Sequence, residues 1–130
     1  MIAVDSSALI AVVAGEKQAA GCETVLLSGP LVMSAATLTE SLIVAARKGV
    51  SEELRALLAL LELEIEDVTP EFAELAAASY IRWGKGFHTA HLNYGDCFSY
   101  AVAQLYDCPL LYIGDDFAQT DVTGALDRGS

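Results

Sequence analysis

Asn93-Tyr94-Gly95-Asp96-Cys97-Phe98-Ser99-Tyr100-Ala101 is the stretch from which the rest of the chain can be read. Asp96 follows a Tyr-Gly pair and opens an apolar run that ends near Tyr106. Gly95 carries no side chain and lets another group come close. The carboxylate behind it falls on the first turn of a helix, where the dipole favours negative charge. Taken alone, such an acid is a helix cap. It gains a second meaning because three other places in the chain set an acid in a similar position.

Downstream, Pro109 separates this helix from an apolar strand, Leu110-Leu111-Tyr112-Ile113, which runs into Gly114-Asp115-Asp116-Phe117. Upstream, 84–93 reads as a loop. Before it lies a helix over 71–83 with Phe72, Leu75, Ala76 and Ser79 on one face. Glu64-Ile65-Glu66-Asp67-Val68 alternates and stops at Thr69-Pro70, as an edge strand would. A helix starting at Ser51 carries the stripe Leu54, Leu57, Leu58 and Leu61. Another spans 35–48, with Arg47 and Lys48 in its last turn and Gly49 beyond. Leu31-Val32-Met33 is a buried strand, preceded by a helix over 18–27 and the break Ser28-Gly29-Pro30. Ile2-Ala3-Val4 is the first strand; Ser6 or Ser7 then caps a helix through Ala14 that Gly15 stops. Short apolar strands separated by helices predict an α/β fold with a parallel sheet covered on both faces. In such sheets polar sites collect at the carboxyl ends of the strands.

At 130 residues the chain makes one domain over 1–127, large enough for a real core. Arg128-Gly129-Ser130 fit no element and are read as an expression remnant. The apolar fraction is 54% and the mean hydropathy +0.43. No run of about 18 uncharged apolar residues exists to cross a membrane, and the start lacks the basic region of a signal peptide. The protein is expected in the cytoplasm. The apolar excess predicts surface buried in a homodimer or against a partner. Cys22, Cys97 and Cys108 have no metal-ligand spacing and read as reduced, buried thiols. The formal charge of −11 is the wrong sign for touching phosphates directly. Either the partner is no polyanion, or metal ions supply the positive charge.

The acids favour the second reading. Asp5 directly follows the first strand, and Asp115 and Asp116 the last. Glu40 lies about a turn and a half into the helix after the second strand, and Asp96 starts the helix before the last. All would lie on one rim of the sheet. Unpaired buried carboxylates are costly, so a group of them implies a cation. Oxygen-only ligands select a hard ion such as Mg²⁺ or Mn²⁺, which can polarise a phosphodiester and activate a water.

The chain resembles the PIN-domain ribonucleases, specifically the VapC toxins of toxin–antitoxin pairs. The matching pieces are Val4-Asp5-Ser6-Ser7-Ala8-Leu9, Thr39-Glu40, Leu92-Asn93-Tyr94-Gly95-Asp96-Cys97-Phe98 and Leu110-Leu111-Tyr112-Ile113-Gly114-Asp115-Asp116-Phe117, with Thr120-Asp121. The resemblance implies a three-layer α/β/α fold, RNA cleavage dependent on Mg²⁺ or Mn²⁺, and inhibition by a cognate antitoxin. It also implies that Asp5 and Asp96 ligate metal directly and that Glu40 holds a second ion or a bound water. For the fourth acid, the position three before Phe117 is Gly114. The Gly-x-Asp-Phe form favours Asp116, with Asp115 the alternative.

Arg82 and Lys85 lie just upstream, with Trp83, Phe87 and Tyr94 interleaved. They read either as RNA contacts or as a solvated helix end. His88 and His91 read as surface or hydrogen-bonding residues, and Ser6 and Ser7 as caps or supporting donors. The function expected is an endoribonuclease in which a metal-activated water attacks phosphorus. The alternatives are a phosphatase or phospho-receiver domain and an inactive partner-binding scaffold.

Overall fold

In the computed structural model, which describes residues 1–126, four strands form one parallel sheet in the order β3-β2-β1-β4. They are β1 (Ile2–Val4), β2 (Leu31–Ser34), β3 (Leu63–Glu66) and β4 (Leu110–Leu111). The helices are α1 (Ser6–Val13), α2 (Ala19–Leu26), α3 (Ala35–Lys48), α4 (Ser51–Leu60), α5 (Pro70–Trp83) and α6 (Tyr94–Tyr106).

The sheet has an apolar core on each face, because side chains alternate along a strand. Ala3, Val32 and Leu110 join Phe72 and Ala76 of α5 and the inner side of α6. Val4, Leu31, Met33 and Leu111 join Leu9 of α1, Leu26 of α2, Ala45 of α3 and Leu54 of α4. This is the expected three-layer arrangement. Each fully buried leucine of this kind contributes about 1.5–3 kcal/mol. The alternating Glu64–Glu66 segment lies at the sheet edge, as expected.

Helix ends follow local chemistry. Ser34 caps α3, accepting from Ala36 N at 3.1 Å, and Gly49 ends it at φ +73°. Thr69 caps α5 ahead of Pro70. At α1 the structure departs from expectation: the cap is Asp5, which accepts from Ser7 N at 3.1 Å. The two serines are thereby free to reach elsewhere.

The last strand is shorter than expected. Asp5 N bonds Leu111 O at 3.0 Å, but β1 then turns into α1, and Ile113 N donates to Ser7 Oγ at 3.0 Å. With no strand alongside, the ladder stops at Leu111. The outer side of β4 is covered by 123–125, where Leu110 N bonds Thr123 O and Ala125 N bonds Leu110 O. Leu75 also departs from its expected buried face and is 41% exposed, while Phe72, Ala76 and Ser79 are buried. The three cysteines are free, Cys22 and Cys97 being buried. Among the described residues no helix is long and apolar enough to cross a membrane. Residues 128–130 lie outside the described residues.

Candidate active site

Asp5 leaves the central strand β1 at its carboxyl end and is 4% exposed. Its carboxylate is held from both sides. Ser99 Oγ donates to Oδ1 at 2.5 Å, and Ser7 Oγ donates to Oδ2 at 2.6 Å beside the Ser7 backbone bond. Ser99 spends its proton on Asp5, so Thr37, whose Oγ1 lies 3.3 Å from Ser99 Oγ, must be the donor in that pair. Thr37 and Ser99 are fully or almost fully buried. Ser7 also accepts from Ile113 N, which ties the start of the site to the segment carrying the last acids.

Ser6 Oγ donates to Glu40 Oε1 at 2.8 Å. The neighbouring serines after Asp5 thus serve two different acids. Glu40 lies against the start of α6, where only a glycine leaves it room at position 95.

Asp96 is the third residue of α6 and closes a capping box with Asn93. Asn93 N donates to Asp96 Oδ2 at 3.0 Å and Asp96 N donates to Asn93 Oδ1 at 2.8 Å. The cap reading of this residue therefore holds. Desolvation, and then the charges of Asp5, Asp116 and Glu40, push the Asp96 carboxyl up to about 7, against a lowering by the Asn93 backbone bond. Asp96 is thus in electrostatic reach of each of the other three acids. Asp116 is exposed at the start of a short 3-10 turn, Phe117–Gln119, just past Gly114, whose φ of +106° allows the sharp exit. Phe117 is buried against Tyr112.

Among the described residues no three acidic, histidine or cysteine side chains converge closely enough to form a ready-made metal cage. The donor chemistry nevertheless suits a hard divalent cation. It consists of carboxylates alone, one of which burial, and then the charge of the others, keeps from ionising at its ordinary pKa.

The expected RNA-side cations are placed differently from one another. Arg82 NH2 lies 3.4 Å from Asp121 Oδ2, and its guanidinium stacks 4.6 Å from the Trp83 ring centre. Asp121 also accepts from Tyr100 OH, to which Gln104 donates at 2.7 Å. Lys85 is exposed, and its backbone N–H on Leu92 O at 2.9 Å holds its turn next to the start of α6. His88 accepts from Ala90 N through Nδ1 at 2.9 Å and packs edge-on to Trp83.

Ser99 and Thr37 are the site residues that sequence reasoning missed. The signal was there in Ser99: a polar residue three after Asp96, on the same helix face, inside an otherwise apolar run. Thr37 carried no such mark.

Comparison with known proteins gives consistent matches. The PIN domain family model matches residues 2–122. Ribonuclease VapC36 of Mycobacterium tuberculosis is 43% identical over 127 residues, covering 92% of this chain and 89% of that protein. Among solved structures, the sarcin-ricin-loop-cleaving toxin VapC20 of Mycobacterium tuberculosis superposes with a TM-score of 0.78 at 19% identity. That match covers 98% of this chain and 100% of that one. A chain of a toxin–antitoxin complex from Klebsiella pneumoniae gives a TM-score of 0.69 at 22% identity, with 93% of each chain covered.

Proposed function

The chain belongs to the PIN domain family, among the VapC ribonucleases, and from that premise we propose that it is an endoribonuclease toxin whose Asp5, Glu40, Asp96 and Asp116 hold Mg²⁺ or Mn²⁺ and direct hydrolysis of an RNA phosphodiester. The observation that carries the site assignment is the convergence of Asp96 and Gly95 at the start of α6 on Glu40, with Ser6 donating to Glu40 and Ser7 to Asp5 from the adjoining turn. Such a cluster is relieved when positive charge enters it. Neither the phosphatase or phospho-receiver reading nor the inactive-scaffold reading draws support from the family match.

A divalent cation in this position supplies Lewis-acid polarisation of the phosphate and a more acidic water. The protein's part is to hold its own oxygens in place. Ser99 and Ser7 fix the Asp5 carboxylate, Ser6 fixes one oxygen of Glu40, and the capping box fixes Asp96 through Oδ2. Preorganised carboxylates of this kind need little rearrangement at the moment of reaction. Lys85 and Arg82 are proposed to meet RNA phosphates, Arg82 after leaving Asp121.

The protein is proposed to act in the cytoplasm as a homodimer held in check by a cognate antitoxin. Exposed Ile81, at 61%, and Phe87, at 59%, offer apolar surface for such a partner. A net charge of −11 calls for Arg or Lys in the antitoxin's contact segment. The deciding experiment is cleavage of a panel of structured RNAs with Mg²⁺, Mn²⁺ or EDTA. Cleavage that needs the metal and is lost in Asp96→Asn is expected; cleavage undiminished in EDTA would remove the metal from the reading.

A further inference from the structure

The four acids explain cleavage but leave open what holds the strand being cut. Arg82, the cation closest in sequence to α6 apart from Lys85, is already engaged by Asp121 and Trp83. A different cation shares a wall with the site. A groove of about 330 Å³ opens between α3 and the start of α6, with Glu40, Ile43 and Arg47 on one side and Tyr94 and Gly95 on the other. Arg47 follows Glu40 by seven residues on α3, which puts both on one face about 10 Å apart along the axis. It is exposed and makes no ion pair among the described residues.

Tyr94 is 76% exposed, a large aromatic surface left in water on the residue next to the glycine that abuts Glu40. Its ring is braced against Phe98, with centres 5.0 Å apart and planes at 74°. A braced ring loses little freedom when a second flat surface settles on it.

We propose that this groove binds one unpaired nucleotide of the RNA substrate beside the scissile phosphate, with the base stacked on Tyr94 and a backbone phosphate on Arg47. The inference rests on the ribonuclease reading and adds a substrate subsite to it. A protein helix is the rival occupant, since Ile43 is 51% exposed in the same groove. The charges favour RNA. An apolar helix face laid here would desolvate the Glu40 carboxylate and the Arg47 guanidinium without pairing either. A nucleotide presents a phosphate to Arg47 and leaves Glu40 on the catalytic side.

The test is fluorescence anisotropy with a labelled oligouridine and Mn²⁺, in the Asp96→Asn background, where cleavage is stopped and one negative charge is gone. Tyr94→Ala should weaken binding roughly thirtyfold, the middle of the range for loss of one stacked base, and Tyr94→Trp should restore it. Arg47→Ala should lower the slope of log affinity against log salt by about 0.7. Thermal unfolding of each variant checks that α3 and α6 survive, as expected for exposed side chains. Binding with unchanged affinity and slope in both variants would overturn the subsite while leaving the ribonuclease reading intact. So would failure of the parent protein to bind the oligonucleotide, or variants that lose only antitoxin binding. Failure of the wild-type protein to cleave any RNA is the separate result that would remove both.

Discussion

Gly95 and Glu40 are in contact so close that a methyl group on the Gly95 Cα would sit 2.5 Å from Glu40 Oε2. The glycine is there for room, and the room belongs to a carboxylate of the proposed metal site. Gly95→Ala should therefore keep the fold, since the end of a glutamate side chain can swing aside and alanine favours helix by about 0.5–1 kcal/mol over glycine. It should still lose on the order of a hundredfold in RNA cleavage, the usual scale for a reacting group displaced by about 1 Å. Thermal unfolding and cleavage rates measured together check this; a variant with near-normal cleavage would refute the role of that contact.

Asp96 gives a pH signature to the metal-free protein. Its folded pKa of about 7 stands above its ordinary value of 3.8. Between these values the folded state holds a proton that the unfolded chain releases. The stabilising effect is thus complete below about pH 4 and is lost as pH rises through about 7. Asp96→Asn, whose amide oxygen can still accept from Asn93 N, should remove this slope and melt above wild type at pH 8 in EDTA. Melting curves from pH 5 to 8 test it. A wild-type protein equally stable across that window would contradict the raised carboxyl.

Ser99→Ala tests the brace on Asp5. It removes the 2.5 Å bond to Oδ1 and leaves buried Thr37 without its acceptor. A cost of about 1–3 kcal/mol in stability is expected for the stranded hydroxyl. Loss of a hydrogen bond to a metal ligand typically weakens metal binding by about 10–100-fold. Calorimetric titration with Mn²⁺ separates the two effects, because a purely structural serine would change the unfolding curve and leave the Mn²⁺ affinity alone.

Asp115 and Asp116 divide the last position between them. Asp116 is among the charges that raise Asp96, and it stands next to the buried Phe117 that anchors the turn. Asp116→Asn should cut cleavage at limiting Mn²⁺ by more than Asp115→Asn does. The reverse order would move the fourth acid one residue back.

Much of this molecule is legible in its sequence where one local cause acts alone. Gly49 and Ser34 set the bounds of α3, and Ile2-Ala3-Val4 could only be a buried strand. What the sequence hides is decided by partners far along the chain. The strand at Leu110 stops early because Ser7, 106 residues away, takes the N–H of Ile113. Asp5 rather than a serine caps α1, and Ser6 reaches instead to Glu40 and Ser7 to Ile113. Leu75 has the right spacing for the inner face of α5 but lines an open groove between α5 and α6, where it stays partly in solvent. Arg82 looked free for RNA until Asp121 was brought beside it. Asp5, Asp96 and Asp116 stand out in the sequence because each follows a strand or begins a helix, and Glu40 because its helix follows a strand, whereas the hydroxyls that hold them had no comparable position.

The order of the strands has a consequence for synthesis on the ribosome. β1 is made first, yet it lies between β2 and β4, and one of its edges waits for residues 110 and 111. At translation rates of about 5–20 residues per second, several seconds pass between the emergence of Asp5 and that of the strand that completes its surroundings. Through that interval the growing chain lacks Asp96 or Asp116 and cannot assemble the cluster. A ribosome-bound fragment ending before residue 109 should accordingly leave β1 open to protease, and protection of β1 in that fragment would count against late assembly. The proposed site therefore cannot form until residue 116 has left the ribosome.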